Sequence, residues 1–172
     1  MHAQSRSSKH QINILFHLRR NLNRNYLSGT IPRAWASLPL VNLLLGGNDY
    51  TGRLPDSFGN LKNLTDFRID GASLSGKIPE FIGNWTNLER LDMQGTSMEG
   101  PIPSTISLLT NLTQLRITDL NVSNTPFPNL QDLTKLTDLV LRNCSITGPI
   151  PSYIGQRMLD IEKLDLSFNR LS

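Results

Sequence analysis

One spacing constrains this chain more than any other feature. Pairs of apolar residues separated by one position recur along it: Leu43/Leu45, Phe67/Ile69, Leu91/Met93, Leu115/Ile117, Leu139/Leu141 and Leu164/Leu166. The steps are four of 24 residues and one of 25. A second series keeps time with the first, the glycines Gly29, Gly52, Gly76, Gly100 and Gly148, with one member missing near 124. A fixed period of this length means stacked copies of one unit, each covering the apolar face of its neighbours. The stretch Leu88–Pro103, LERLDMQGTSMEGPIP, shows the unit most completely.

The chemistry of the unit follows from its pattern. In apolar-x-apolar the two side chains point the same way, as in a strand, and the residue between them faces outward. Three positions after the second inward residue, the chain turns. An inward polar group there can satisfy backbone of the adjoining coil, because buried backbone groups need partners. That position reads Asn25, Asn48, Ala72, Thr96, Leu120, Cys144 and Asn169. The asparagine ladder is thus intact at both ends and eroded in the middle, which predicts looser packing there. Glycine and then Ile/Leu-Pro close each unit, since proline cannot donate to a sheet and holds the segment extended. Stretches such as Glu80–Gly83 and Ser104–Leu109 leave room for about one turn of 3-10 helix on the convex side. The expected fold is an α/β solenoid of the leucine-rich-repeat type. It has short parallel strands on a concave face and about seven units over residues 20–172, the last one incomplete. Residues 1–19 are polar and aperiodic and read as a leader outside the fold. After Ile117 the chain runs TDLNVSNTPFPNL, with Asn124 where glycine is expected. Unit length stays at 24, so this predicts a local bulge, either drift in a solvent-facing turn or a partner-contact loop.

Charge narrows the function. The formal net charge of +3 comes from residues 1–24, which hold five basic residues and no acid; the remainder carries 12 basic and 14 acidic residues. A near-neutral repeat region excludes nucleic-acid binding through a basic patch. The single cysteine, Cys144, allows no internal disulfide and, at a ladder position, reads as a structural thiol. All three histidines lie in the first 17 residues, and no metal-ligand cluster, phosphate loop or kinase signature occurs, so no catalytic residue, metal or cofactor is assigned. Residues 12–16 are too short and mixed for the apolar core of a signal peptide, and no stretch approaches a membrane span. Both ends cut into units without polar caps, so the chain is expected to be a segment of a longer protein.

Binding is read from the outward columns. One column is Leu44, Arg68, Asp92, Arg116, Val140, Asp165; its neighbour is Asn42, Asp66, Arg90, Gln114, Asp138, Lys163. The alternating charges predict cross-strand pairs Arg68–Asp92–Arg116, Asp66–Arg90 and Asp138–Lys163. They also nominate Arg68, Asp92, Arg116, Arg142, Asp66 and Arg90 as ligand contacts, with Arg116 and Arg142 best suited to carboxylates. Arg116→Glu is expected to weaken binding without unfolding the domain. Sequons at Asn63, Asn84, Asn111, Asn121 and Asn143 are glycosylation candidates, with Asn84 and Asn121 expected to be most accessible and Asn143 doubtful beside the ladder.

The closing motifs YLSGTIP, YTGRLP, LSGKIP, MEGPIP and ITGPIP resemble the plant-type leucine-rich repeat. More finely, residues 22–172 resemble the ectodomain of plant leucine-rich-repeat receptor-like serine/threonine kinases that carry a malectin-like domain. The resemblance rests on DFRIDG, IGNWTNLERLDMQGTSMEGPIPSTISLLTNLTQLRITDLN, FPNL, LVLRNCSITGPIPSYIG and KLDLSFNRLS. It implies an extracellular recognition module for a peptide, a cell-wall glycan or a co-receptor protein, in a parent anchored at the plasma membrane. Kinase activity does not carry over, because no kinase motif is present. The alternatives are a freestanding secreted inhibitor of a hydrolase and a truncated, non-signalling fragment.

Overall fold

The computed structural model describes residues 18–172. The strands, in chain order, are β1 (Leu18–Asn21), β2 (Ser28–Thr30), β3 (Leu40–Leu44), β4 (Asp49–Gly52), β5 (Asp66–Arg68), β6 (Ser73–Leu74) and β7 (Arg90–Met93). They continue with β8 (Gln114–Thr118), β9 (Thr125–Pro126), β10 (Asp138–Arg142), β11 (Ile146–Gly148), β12 (Lys163–Asp165) and β13 (Arg170–Leu171). The long strands form one parallel sheet in the order β1-β3-β5-β7-β8-β10-β12. Its register pairs Leu43 with Phe67, Phe67 with Leu91, Leu91 with Leu115, Leu115 with Leu139 and Leu139 with Leu164, the same stacking that the 24-residue period requires.

Five of the six inward pairs are fully buried; Leu164, on the last strand of the sheet, is 45% exposed. Behind them the convex side is built from single 3-10 turns at Arg33–Ser37, Asp56–Asn60, Glu80–Asn84 and Ser104–Leu108, each entered through a proline, and one helical turn, α1 (Tyr153–Gln156). Trp85 fills the space between two of these turns. Its indole N–H donates to the Phe58 carbonyl at 2.9 Å, and its ring lies 4.8 Å from that of Phe67 and 5.8 Å from that of Phe81. Burying an aromatic of this size and satisfying its one polar atom fixes the distance between coils.

Three expectations change. The first strand starts at Leu18, so two residues assigned to the leader are in the sheet; residues 1–17 lie outside the described residues. The middle of the ladder is not loose: Ala72, Thr96, Leu120 and Cys144 are 1, 3, 6 and 1% exposed, whereas Asn25 is exposed. The turns there keep the coil-to-coil backbone bonds, Gly71 N–H to the Gln94 carbonyl at 2.8 Å, as Gly47 N–H to the Asp70 carbonyl at 2.7 Å in the Asn48 unit, and Leu120 N–H to the Asn143 carbonyl at 3.2 Å. Where asparagine remains, it works as expected. The Asn48 amide donates to the carbonyls of Leu22 (2.8 Å) and Leu45 (2.9 Å) and accepts from Leu27 N–H. Asn169 does the same for Leu141 and Leu166 while accepting from Cys144 and Ile146. Finally, the irregular unit makes no bulge in the main sheet, where β8 and β10 pair without a slip from Gln114/Asp138 to Thr118/Arg142. Its effect is lateral. The strands of the closing motif form two sheets, β2-β4-β6 and β9-β11-β13, joined only by single bridges at Glu99. Asn124 supplies the left-handed conformation expected of the missing glycine, at φ +40°.

Candidate functional site

The strand register brings both predicted columns onto the concave face as read from sequence. Their charges pair differently. Arg68 grips Asp66, two residues back on its own strand, through Nε to Oδ1 at 2.8 Å and Nη2 to Oδ2 at 2.6 Å. Arg90 reaches Asp92 on its own strand at 3.2 Å. Arg116 reaches diagonally to Asp138 on the next strand, through Nε to Oδ2 at 3.0 Å and also through Nη2, and it stands 3.9 Å from Asp92. The pairs directly across strands, Arg68–Asp92, Asp66–Arg90 and Asp138–Lys163, are replaced by these. The cause is geometric. Residues i and i+2 share a face of a strand, and the long guanidinium fork aligns better with a carboxylate along or diagonal to the strand than with one straight across. Asp92 and Asp138 are 4% and 7% exposed. Burial pushes the Asp92 carboxyl above its usual range, opposed by the hydrogen bond from Arg90. Most of the nominated ligand residues therefore neutralise one another. Arg142 stands apart, exposed, with its guanidinium 4.6 Å from the centre of the Phe168 ring, a cation–π contact. Cys144 is buried and its thiol is pushed up to about 12, which removes it as a nucleophile.

A recognition feature that the outward columns did not reveal lies along the strand-exit edge of this face. Each unit turns there through a left-handed residue, two positions after the second inward side chain. The series is Arg24, Gly47, Gly71, Gly95, Asp119, Asn143 and Phe168, with φ between +53° and +70°. In three consecutive units the residue is glycine, so bare backbone forms a floor roughly 10 Å long at the strand spacing of a sheet. Arg24 closes one end and Asp119 the other. A cavity of about 330 Å³ opens at the Arg24 end of this row, over Gly46 and Gly47, lined also by Arg24, Asp70, Gln94, Arg68 and Arg116. The Asp70 carboxylate packs so closely over Gly46 that any side chain at 46 would collide with it. Asp70, Gln94 and Arg24 make no ion pair or side-chain hydrogen bond among the described residues. An acceptor, a mixed donor–acceptor and a donor are thus left over, beside arginines already held in place. The signal for this trough was in the sequence, in the 24-residue recurrence of glycine at 47, 71 and 95.

The sequons also separate. Asn84, Asn111 and Asn143 donate their side-chain amides to the Gly59 carbonyl (3.3 Å), the Thr86 carbonyl (3.0 Å) and Asp119 (2.8 Å). Asn63 and Asn121 are exposed, and their side-chain amides donate to nothing among the described residues. No helix of the described residues is long and apolar enough to cross a membrane, and no group of three or more metal-ligating side chains occurs among them.

Comparison with known proteins agrees with the architecture. The Leucine Rich Repeat family model matches residues 87–109 and 135–156. A probable leucine-rich-repeat receptor-like serine/threonine-protein kinase of Arabidopsis thaliana is 59% identical over 54 residues, which is 31% of this chain and 5% of that protein. The ectodomain of the Arabidopsis receptor kinase HAESA, solved with an N-terminally extended IDA peptide hormone, superposes with a TM-score of 0.83 at 33% identity, over 88% of this chain and 26% of that one. The same receptor solved with IDA and the co-receptor SERK1 gives 0.82 at 32% identity, with the same coverage. The chain spans about a quarter of those ectodomains. The similarity runs through non-catalytic repeats and includes no kinase domain. The chain contains leucine-rich repeats, and its fold is similar to that of plant receptor-kinase ectodomains.

Proposed function

We propose that this chain is a ligand-recognition segment of a receptor-kinase ectodomain, lying outside the cell, and that its strand-exit trough seats an extended stretch of a peptide or of a partner protein. The observation that carries this reading is the cavity over Gly46 and Gly47, continued along the edge by the glycine turns at 71 and 95, beside the unpaired Arg24, Asp70 and Gln94. An extended backbone has alternating donors and acceptors, and it needs a floor without side chains to come close. The arginines of the concave columns form the wall of the trough and hold its charge in place. The peptide complexes of HAESA support the class of ligand, since that receptor's repeats superpose on these.

The test uses a displayed library of linear peptides selected against the chain, with affinities of recovered binders measured by calorimetry. Gln94→Trp fills the trough with a side chain at a position that makes no side-chain hydrogen bond among the described residues. It is expected to weaken binders at least tenfold, a loss of about 1.4 kcal/mol. Glu80→Ala, on the convex side, is expected to change nothing. Binders indifferent to Gln94→Trp would remove the trough from the reading.

A further inference from the structure

The five sequons differ in one physical respect: whether the amide nitrogen to be modified is already engaged in the folded chain. Asn63, Asn87 and Asn111 occupy one row at 24-residue spacing. In this row Asn87 donates to the Lys62 carbonyl at 3.0 Å and Asn111 to the Thr86 carbonyl at 3.0 Å, each 25 residues back in the preceding coil. By the same offset, Asn63 would donate to the Leu38 carbonyl. That carbonyl instead accepts from Leu40 N–H at 2.8 Å. Asn63 is therefore the exposed, unpaired member of an otherwise bonded row. Asn111 is held twice, since its amide oxygen also accepts from Lys135 at 2.8 Å. Asn121 sits in the irregular unit, where its backbone N–H bonds the Met98 carbonyl at 3.0 Å and its exposed side chain is free of bonds among the described residues.

We propose that Asn63 and Asn121 are the N-glycosylation sites of this protein, and that the first N-acetylglucosamine on Asn63 rests in the groove beside it. The inference relies on the extracellular reading above. The groove, of about 460 Å³, is lined by Arg19, Val41, Thr65, Asn87, Glu89 and Asn111 with Asn63 at its side. Its chemistry matches an acetamido sugar. Val41 offers an apolar patch for the acetyl methyl and the ring C–H face. Glu89 and Arg19, which form no ion pair among the described residues, offer an acceptor and a donor for hydroxyls. At Asn84, Asn111 and Asn143 the nitrogen that would carry the sugar already donates to the Gly59 carbonyl, the Thr86 carbonyl or Asp119, so a glycan there would keep one N–H and have to fit around a bond that ties one coil to the next.

The chain is expressed behind a secretion signal in plant cells, and occupancy of each sequon is read by glycopeptide mass spectrometry. Occupancy above half at Asn63 and Asn121, and below one tenth at the other three, is expected. Equal occupancy at all five, or Asn111 above Asn63, overturns the assignment. Trimming the Asn63 glycan to its single proximal sugar should leave the melting temperature of the secreted protein unchanged, while Asn63→Gln or complete deglycosylation lowers it by a few degrees; a melting temperature indifferent to that last sugar overturns the seating in the groove. The protein isolated from its own cells separates the two readings. If the secreted chain is modified at Asn63 and Asn121 but the native one carries no sugar, the extracellular reading fails, and with it the claim for the native protein.

Discussion

Arg116 shows how a residue chosen for one role can be committed to another. Read as a column, its guanidinium faces outward, pairs with Asp92 across the strands and is also a candidate for a ligand carboxylate. In the structure it lies between Asp138 and Asp92, carboxylates that are 7% and 4% exposed. Removing one partner of such a group leaves a buried charge without compensation, and that penalty exceeds the net worth of the pair. The burial of Asp92 is already costly for the ionised form, as its upward-shifted carboxyl shows. Arg116→Glu therefore does more than weaken binding: a third carboxylate would face the other two. We expect a loss of about 3–5 kcal/mol, visible as a fall of roughly 2 M in the urea midpoint at an m-value of roughly 2 kcal/mol/M. Arg116→Lys, which keeps the charge but loses the fork, should fall between this variant and the parent. A midpoint unchanged in Arg116→Glu would return the residue to the pool of free ligand contacts. The sequence could place Arg116 on the right face and opposite the right strands. It could not say which neighbour the side chain would choose, because a period fixes the positions of backbones and leaves rotamers undetermined.

At the scale of the repeat, the left-handed turn is the element on which stacking depends, and the units solve it unequally. Gly47, Gly71 and Gly95 adopt it without cost, whereas Arg24, Asp119, Asn143 and Phe168 carry a Cβ into the same region. Asp119 and Asn143 compensate by bonding each other at 2.8 Å, and Phe168 by its contact with Arg142. Arg24, at φ +56°, makes neither kind of contact among the described residues. A non-glycine residue here costs roughly 1–2 kcal/mol. Gly71→Ala should thus destabilise by about 1 kcal/mol although there is room for the methyl group, whose nearest neighbour would be the Gly47 nitrogen at 3.8 Å. Arg24→Gly should stabilise by a similar amount. By thermal unfolding these are shifts of roughly 2–4 °C in opposite directions; two shifts of the same sign would show that something other than backbone conformation governs the turn. The inward pairs, the closing prolines and the convex turns were legible because each follows from alternation or from proline chemistry. The trough is less legible because the glycines at 47, 71 and 95 matter through side chains they lack, while the conspicuous charges of the outward columns satisfy one another.

In the whole molecule these local solutions add along one axis, since each coil touches only the coils beside it. Stability should then be graded along the stack, with no single core in which it is uniform. The centre is favoured twice. The ladder positions Ala72 and Thr96 stay buried without an asparagine, with coil-to-coil backbone bonds such as Gly71 to Gln94 kept there as elsewhere, and Phe58, Phe67 and Trp85 join adjacent coils through fully buried aromatic surface. The flanks are less covered: Arg20 occupies the inward register opposite Leu43 in β1, and Leu164 is 45% exposed in β12. Each apolar side chain left in water forgoes about 1.5–3 kcal/mol of burial. Amide hydrogen exchange resolves such gradients directly, because local opening costs less than global unfolding wherever few apolar contacts must be broken. Amides of β5, β7 and β8 should exchange slowest, and those of β1 and β12 at least a hundredfold faster, equivalent to about 2.7 kcal/mol in opening free energy. The lateral break beside the irregular unit adds a finer expectation. The amide of Thr125, the one that β9 offers because Pro126 has no N–H, lies in a short strand paired on one side and should exchange faster than those of β8, which belongs to the same unit but lies in the continuous sheet. If β8 and β9 exchanged at one rate, the split between the two lateral sheets would carry no energetic consequence, and the irregular unit would be as firmly stacked as its neighbours.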